Sequence, residues 1–206
     1  MRGVLAVLSS RIIFLNFFRY NYCMDASLAR LHARICGDGN VSKYKTSESD
    51  RDRRAEIMYT NYDEKNISEF RRDLNSNFDV RGTRYENQVR IKSIRIVEEL
   101  EDRFGEFSSN GFVVPEDIKA SSEEVKLSWL RAFIRDEGYF DHQNDRLRIK
   151  LMNKKALFDI KQLFSDVDVP SKITGPNSDE SWYLTVSDID NYSRILKFAK
   201  NKSKVK

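Results

Sequence analysis

Two carboxylates stand out by what surrounds them. Asp38 closes the run Leu28-Ala29-Arg30-Leu31-His32-Ala33-Arg34-Ile35-Cys36-Gly37-Asp38-Gly39, and Glu137 closes the run Leu127-Ser128-Trp129-Leu130-Arg131-Ala132-Phe133-Ile134-Arg135-Asp136-Glu137-Gly138. Both runs carry apolar residues at helical spacing and both end in acid-Gly, about a hundred positions apart. A carboxylate at a helix C-terminus opposes the macrodipole, so two at equivalent places in a repeat point to a use. Oxygen donors of this kind suit a hard divalent cation, provided that the fold brings them to one point. Other chemistries lack their residues. The histidines are His32 and His142 and the cysteines Cys23 and Cys36, which supply no CxxC zinc pattern, no disulfide framework and no Ser/His or Cys/His nucleophile. Cys36 reads as a small buried residue on a packed helix.

The elements that must position the two acids repeat with them. After the first run, Val41 to Ser47 and Arg54 to Thr60 alternate as strands, Glu64 to Leu74 reads as a helix, and Val80 to Tyr85 with Asn87 to Lys92 reads as a second strand pair before a helix over Ile94 to Phe104. After the second run come strands at Tyr139 to Asp141 and Arg146 to Leu151 and a helix over Lys154 to Phe164. Strands at Lys172 to Thr174 and Trp182 to Val186 and a last helix over Ile189 to Ala199 follow. The expected class is α+β: an αββαββα unit used twice. The expected divisions are a first repeat over 24–105, a linker over 106–122, a second repeat over 123–200 and a basic tail over 201–206. Ser121-Ser122 with Glu124 is expected to cap the second acid-ended helix.

Residues 1–23 stand apart. They are apolar with Arg2 in front, but Ser9, Ser10, Arg11 and Asn16 break the run, so they read as neither a signal peptide nor a membrane span. Met24 precedes the helix-start pattern of Asp25, and the functional protein is expected to begin near it, with residues 1–23 as an upstream extension and a membrane anchor as the alternative. Lys and Arg total 36 against 32 Asp and Glu, a net charge of +4, with a pI near 9.0. That balance fits a nucleic-acid partner without requiring one. With two thiols and no membrane span the chain is expected to be cytoplasmic.

Strand alternation gives each sheet an apolar face for helices and a polar, mostly basic face. From Arg84 onward, alternate residues Arg84, Glu86, Gln88, Arg90 and Lys92 are polar; in the other half Arg146, Arg148 and Lys150 alternate with Leu147, Ile149 and Leu151. Arg pairs bidentately with guanine, Gln with adenine, and Lys neutralises phosphates.

Leu31 to Gly39 and Leu130 to Gly138 resemble the motif of the LAGLIDADG homing endonuclease family: a leading Leu, a small residue two later, an apolar Ile and a closing acid-Gly. Arg148-Ile149, Asn153-Lys154-Lys155-Ala156-Leu157 and Tyr183-Leu184-Thr185-Val186-Ser187 are similar to strands and a helix of single-chain archaeal members, and the likeness spans roughly Asp25 to Lys200. The resemblance implies two motif helices packed side by side through Ala33, Gly37 and Ala132. It also implies a saddle of two antiparallel sheets, and a monomer with internal pseudo-two-fold symmetry. Asp38 and Glu137 then meet at the floor of a groove for double-stranded DNA, where two carboxylates repel unless a cation lies between them. The implied cofactor is Mg²⁺, with Mn²⁺ as a substitute, and the implied reaction is double-strand cleavage. Gly37 and Asp136 border the metal site, Asp136 acting at most from behind the ligands. Asn61 resembles the family's polar position beside the metals and Lys92 its basic one, with Lys150 and Asn153 as weaker counterparts in the second repeat. The DNA contacts are expected from Lys43, Lys45, Arg54, Arg84, Gln88, Arg90, Arg146, Arg148, Lys150 and Lys172. Arg34 and Arg135 depart from the pattern: each is expected on the outer side of its helix, with a disturbed central packing as the alternative for Arg34.

The family also holds RNA maturases and transcription regulators, so a chain that binds DNA or structured intron RNA without cutting is the alternative. A regulator of this type would usually carry a helix-turn-helix domain, and none is expected here.

Overall fold

A computed structural model describes residues 24–45, 53–187 and Ile195; the extension over 1–23, the tail and nearly all of the last expected helix lie outside the described residues. The first repeat comprises α1 (Ala26–Cys36), β1 (Gly39–Lys45), β2 (Arg53–Thr60), α2 (Glu64–Phe78), β3 (Thr83–Tyr85), β4 (Gln88–Lys92) and α3 (Ile94–Phe104). A short helix α4 (Glu116–Lys119) leads to the second repeat: α5 (Glu123–Glu137), β5 (Gly138–Asp141), β6 (Arg146–Leu151), α6 (Lys154–Asp166), β7 (Lys172–Thr174) and β8 (Trp182–Ser187). Each repeat forms a four-stranded antiparallel sheet, in the matching orders β1-β2-β4-β3 and β5-β6-β8-β7.

Local chemistry sets most boundaries. The Asp25 carboxylate accepts from Leu28 N at 2.8 Å to start α1, and Asn153 accepts from Ala156 N to start α6. The α2 helix runs past Leu74 to Phe78, because Asp79 at φ 54° supplies the left-handed stop usually given by glycine. The expected hydroxyl cap of α5 does not form: Ser122 sits at the N-cap without a side-chain bond, and Ser121 Oγ donates back to Ile118 O. The linker is packed, with Phe112, Val114 and Ile118 buried.

The centre of the molecule is the α1–α5 seam. Ala33 and Ala132 are buried there, and a Cβ on Gly37 would meet Asp136 Cβ at 2.9 Å. The helices therefore approach as closely as a glycine allows. Gly37→Val is expected to cost about 1–3 kcal/mol through overpacking, read as a fall in the urea midpoint. An unchanged midpoint would mean that the seam is looser than this geometry.

Higher on the seam His32 is fully buried. Its Nδ1 accepts from Trp129 Nε1 at 3.0 Å, and the ring meets Phe104 edge-on at 4.9 Å. Burial holds its pKa down to about 3, so it is neutral when folded. Unfolding frees it to bind a proton below its ordinary value near 6.5, so this residue's stability contribution is whole above about pH 6.5 and is lost as pH falls toward 3. At pH 5 the loss is about 2 kcal/mol. Denaturation of wild type and His32→Phe at pH 7.5 and 5 measures it. The wild-type midpoint should fall further on acidification, and parallel falls would refute a buried neutral histidine.

Among the described residues no helix is long and apolar enough to cross a membrane.

Candidate metal and nucleic-acid site at the helix seam

The two acids lie where helices become strands. Cys36 ends α1, Gly37 donates its N–H to Ala33 O as the helix cap, and Asp38 follows at the mouth of β1, its carbonyl accepting from Thr60 N at 3.2 Å. Glu137 is the last residue of α5, and Gly138 opens β5. A Cβ at Gly39 would come within 2.5 Å of Ile35 Cα and one at Gly138 within 2.6 Å of Ile134 O, so both tight exits need glycine.

The packed seam holds the two acids in a setting that opposes their charge. Burial raises the Asp38 carboxyl, while an Asn61 hydrogen bond and the Arg34 charge oppose the rise. Burial also raises Glu137, and the Asp38 charge raises it further. Glu137 thus carries a nearby like charge. A third carboxylate stands behind them. The Asp136 side chain is wholly shielded from solvent, and its pKa is pushed up to about 7, by burial first and by Asp38 and Glu137 among the charges, with Arg34 pulling against them.

The donor set fits a hard divalent ion that keeps much of its own shell. Among the described residues no three His, Cys, Asp or Glu side chains form a complete cage. Two half-buried carboxylates at one edge of two polar sheets instead match an ion that takes one or two protein carboxylates and fills its shell with water and phosphate oxygens.

Asn61 lies beside Asp38: its Nδ2 donates to Asp38 Oδ2 at 2.6 Å and to Asp136 Oδ1 at 3.3 Å. Lys92 does not. β4 runs antiparallel to β2 with Thr60 opposite Gln88 and Glu56 opposite Lys92, so the Asp38 end of the strand is Gln88. Lys92 is four residues along, roughly 13 Å away, in a cleft with Arg53, Arg54 and Arg95. In the second repeat Lys150 pairs with Asp179 at 2.6 Å, and Asn153 caps α6 while donating to Phe112 O at 2.8 Å; neither serves the acids.

Arg34 is the residue that the sequence misplaced most. It is fully buried, reaching Tyr59 Oη at 2.7 Å, Glu69 Oε2 at 2.7 Å, Asp136 Oδ1 at 3.1 Å and Asn66 Oδ1 at 3.2 Å. Arg135, expected on the outer side of its helix, is partly buried and donates to the same Glu69 oxygen of the first repeat at 2.9 Å.

Register decides which side chains share the open face. Directly opposite residues point the same way. Gln88 and Arg90 oppose Thr60 and Met58, away from the buried Tyr59, Val89 and Ile91. Arg54, Arg146, Arg148, Lys150 and Lys172 also lie on open faces. Three expected contacts do not. Tyr85 opposes Gln88 across a two-residue turn, so alternation does not carry through it: Tyr85 joins the open face and Arg84 the helix face, where Arg84 pairs with Glu64 at 2.5 Å. Lys43 and Lys45 oppose Ala55 and Arg53 on the helix side, and Lys43 pairs with Glu101 of α3. Asn40, Ser42 and Tyr44 take their place. Sequence reading also missed the tyrosines of the open faces. The Arg90 guanidinium lies 5.2 Å from the Tyr85 ring centre, and that of Arg148 lies 3.8 Å from Tyr183.

This architecture has counterparts among solved structures. A mesophilic variant of the homing endonuclease I-DmoI matches at a TM-score of 0.64 with 19% identity, over 85% of this chain and 98% of the other. I-DmoI in complex with DNA and Mn matches at 0.63 with 17% identity, over 84% and 97%. The chain has the LAGLIDADG fold. Full-length WhiA from Thermatoga maritima shares it at a TM-score of 0.52 and 10% identity, over 86% of this chain and 56% of that one. No family model and no curated protein matches the sequence. The ends of α1 and α5 that lead to Asp38 and Glu137 are the stretches whose sequence resembles the motif of that family.

Proposed function

We propose that this chain is a site-specific endonuclease for double-stranded DNA, acting as a monomer whose two repeats stand in for two subunits. The observation that carries the reading is the close packing of the two helices whose ends lead to Asp38 and Glu137, with Asn61 Nδ2 bridging Asp38 to Asp136, the neighbour of Glu137. The carboxylates would hold Mg²⁺, or Mn²⁺ in its place, because both ions take oxygen ligands. When bound, such an ion polarises the scissile phosphate and lowers the pKa of an attacking water. The chain's own part is to orient. Arg90 is held by Gln88 Oε1 at 3.0 Å and backed by Tyr85, which presents a fixed guanidinium to a base edge or phosphate. Arg148 is held against Tyr183 in the same manner. I-DmoI has been seen bound to DNA with Mn, which supports the partner and the class of ion.

The test is cleavage of a randomised duplex library in Mg²⁺ by protein starting at Met24, with an Asp38→Asn, Glu137→Gln double variant as control. A recurrent set of long cut sites absent from the control is expected. No cutting, with salt-sensitive retention of a structured intron RNA, would favour the maturase reading instead. The observation on that side is the exposed Tyr85 and Tyr139, about half accessible on the open faces, since unpaired bases stack on such rings.

A further inference from the structure

Asn61 has one amide nitrogen with two hydrogens, and two carboxylates receive them: Asp38 Oδ2 at 2.6 Å and Asp136 Oδ1 at 3.3 Å. Its carbonyl oxygen is occupied as well, accepting from Asp63 N at 2.9 Å and from Asn66 Nδ2 at 3.3 Å. A flipped amide would set its oxygen against two carboxylates and its nitrogen against two donors, so the orientation is fixed at both ends. Asp136 is fixed in turn. Tyr59 Oη donates to it at 3.1 Å, and Arg34 faces it at 3.1 Å while braced by Glu69 and Asn66. The chain from Arg34 through Asp136 and Asn61 ends on one oxygen of Asp38. Among the described residues Glu137 has no side-chain hydrogen bond of this kind, so the two motif acids are not equivalent.

We propose that Asp136 is a positioning residue for Asp38. It takes the second N–H of the Asn61 carboxamide, with Arg34 as its counter-charge, and so locks Asp38 with Oδ2 turned to Asn61 and Oδ1 left for the cation. The inference rests on the metal-binding part of the proposed function. It concerns a position where the motif takes a small residue, and it makes the first-repeat acid the pre-organised arm of the pair.

The test is Mn²⁺ affinity, read from the free-ion paramagnetic resonance signal, for the full chain and its variants, each first shown to fold by its thermal transition. Asp136→Ala and Asn61→Ala should each weaken Mn²⁺ binding by about 10–100-fold, the usual effect of removing a group that orients a ligand. The Asp136→Ala, Asn61→Ala double variant should be no weaker than the weaker single one, because both act through one bond. Asp136→Asn, which keeps an acceptor oxygen for Asn61 but loses the charge, should bind within a few-fold of wild type. Multiplying effects in the double variant, or Asp136→Asn as weak as Asp136→Ala, would make Asp136 a ligand and overturn the proposal. Wild-type affinity in Asp136→Ala would overturn it as well. If Mn²⁺ binding were indifferent to Asp38→Asn, the metal reading would fall first, and that outcome is separate from the others.

Discussion

Asp38→Asn and Glu137→Gln are each expected to reduce DNA cleavage on the order of 10⁴-fold or more, the scale seen when a member of a catalytic group that acts as a unit is removed. Retention of the uncut duplex should persist. The amides keep the shape of the carboxylates, and the amide oxygen introduced at position 38 can still accept from Asn61, so what is lost is charge. The same substitutions are expected to raise thermal stability. Burial pushes both carboxyls up, and Asp38 pushes Glu137 up further, which means that the folded state opposes both charges at neutral pH. A neutral amide relieves that opposition. The sign follows from linkage: a carboxyl whose folded pKa is raised destabilises the fold once pH exceeds its unfolded value, so the gain should be present at pH 7.5 and vanish by about pH 3.5. Cleavage assays on the selected site and melting curves at the two pH values measure both halves. Cutting within about tenfold of wild type by either variant would refute a two-acid mechanism. A fall in melting temperature at pH 7.5 would show that the acids serve as structural ion pairs instead.

What the sequence revealed and what it hid divide along physical lines. The two motif helices and their acids are local patterns: apolar spacing, a small residue at the contact, and acid-Gly at the exit. The β2, β4 and β6 faces were legible because buried Ile57, Tyr59, Val89, Ile91, Leu147 and Ile149 mark one side at every second position. β1 has no such mark. Val41 is followed by Ser42, Lys43, Tyr44 and Lys45, and only pairing with β2 shows that Lys43 and Lys45 look toward the helices. Period-two alternation carried through the Glu86-Asn87 turn puts Arg84 on the wrong face, because the hairpin resets it. The end of β4 that carries Lys92 is set by strand direction, and antiparallel pairing sends it away from the acids. The network around Asp136 left no local trace at all. Arg34 finds Tyr59, Asn66, Glu69 and Asp136 at separations of 25 to 102 positions, and no periodicity encodes a contact of that range. Its one signal was a charge inside an otherwise apolar, small-residue helix face, which had to be either exposed or paired.

That pairing makes Arg34 the stability-determining charge of the seam. Arg34→Leu is expected to destabilise the fold by about 3–5 kcal/mol, the cost of leaving a buried partner without its counter-charge. The partner is Asp136, whose side chain has no solvent access; Glu69 is less exposed to the loss because Arg135 still reaches it at 2.9 Å. The reciprocal change should cost less. In Asp136→Ala, Arg34 keeps Glu69, Tyr59 and Asn66 within bonding distance, so its charge remains compensated. Arg34→Leu combined with Asp136→Ala should therefore recover much of the single-variant loss, as buried ion pairs commonly do when both members become apolar. Urea denaturation of the three variants forms a double-mutant cycle, and the coupling should be at least about 1 kcal/mol in favour of the pair. If Arg34→Leu stayed within about 1 kcal/mol of wild type, the buried guanidinium would not be compensating Asp136. The ordered route from Arg34 to Asn61 and on to Asp38 would then lose its anchor. If the double variant regained stability but still bound Mn²⁺ weakly, the energetic and positioning roles of the cluster would be separated. The buried charge pair would then be retained at the seam for the geometry of Asp38, and not for the strength of the fold.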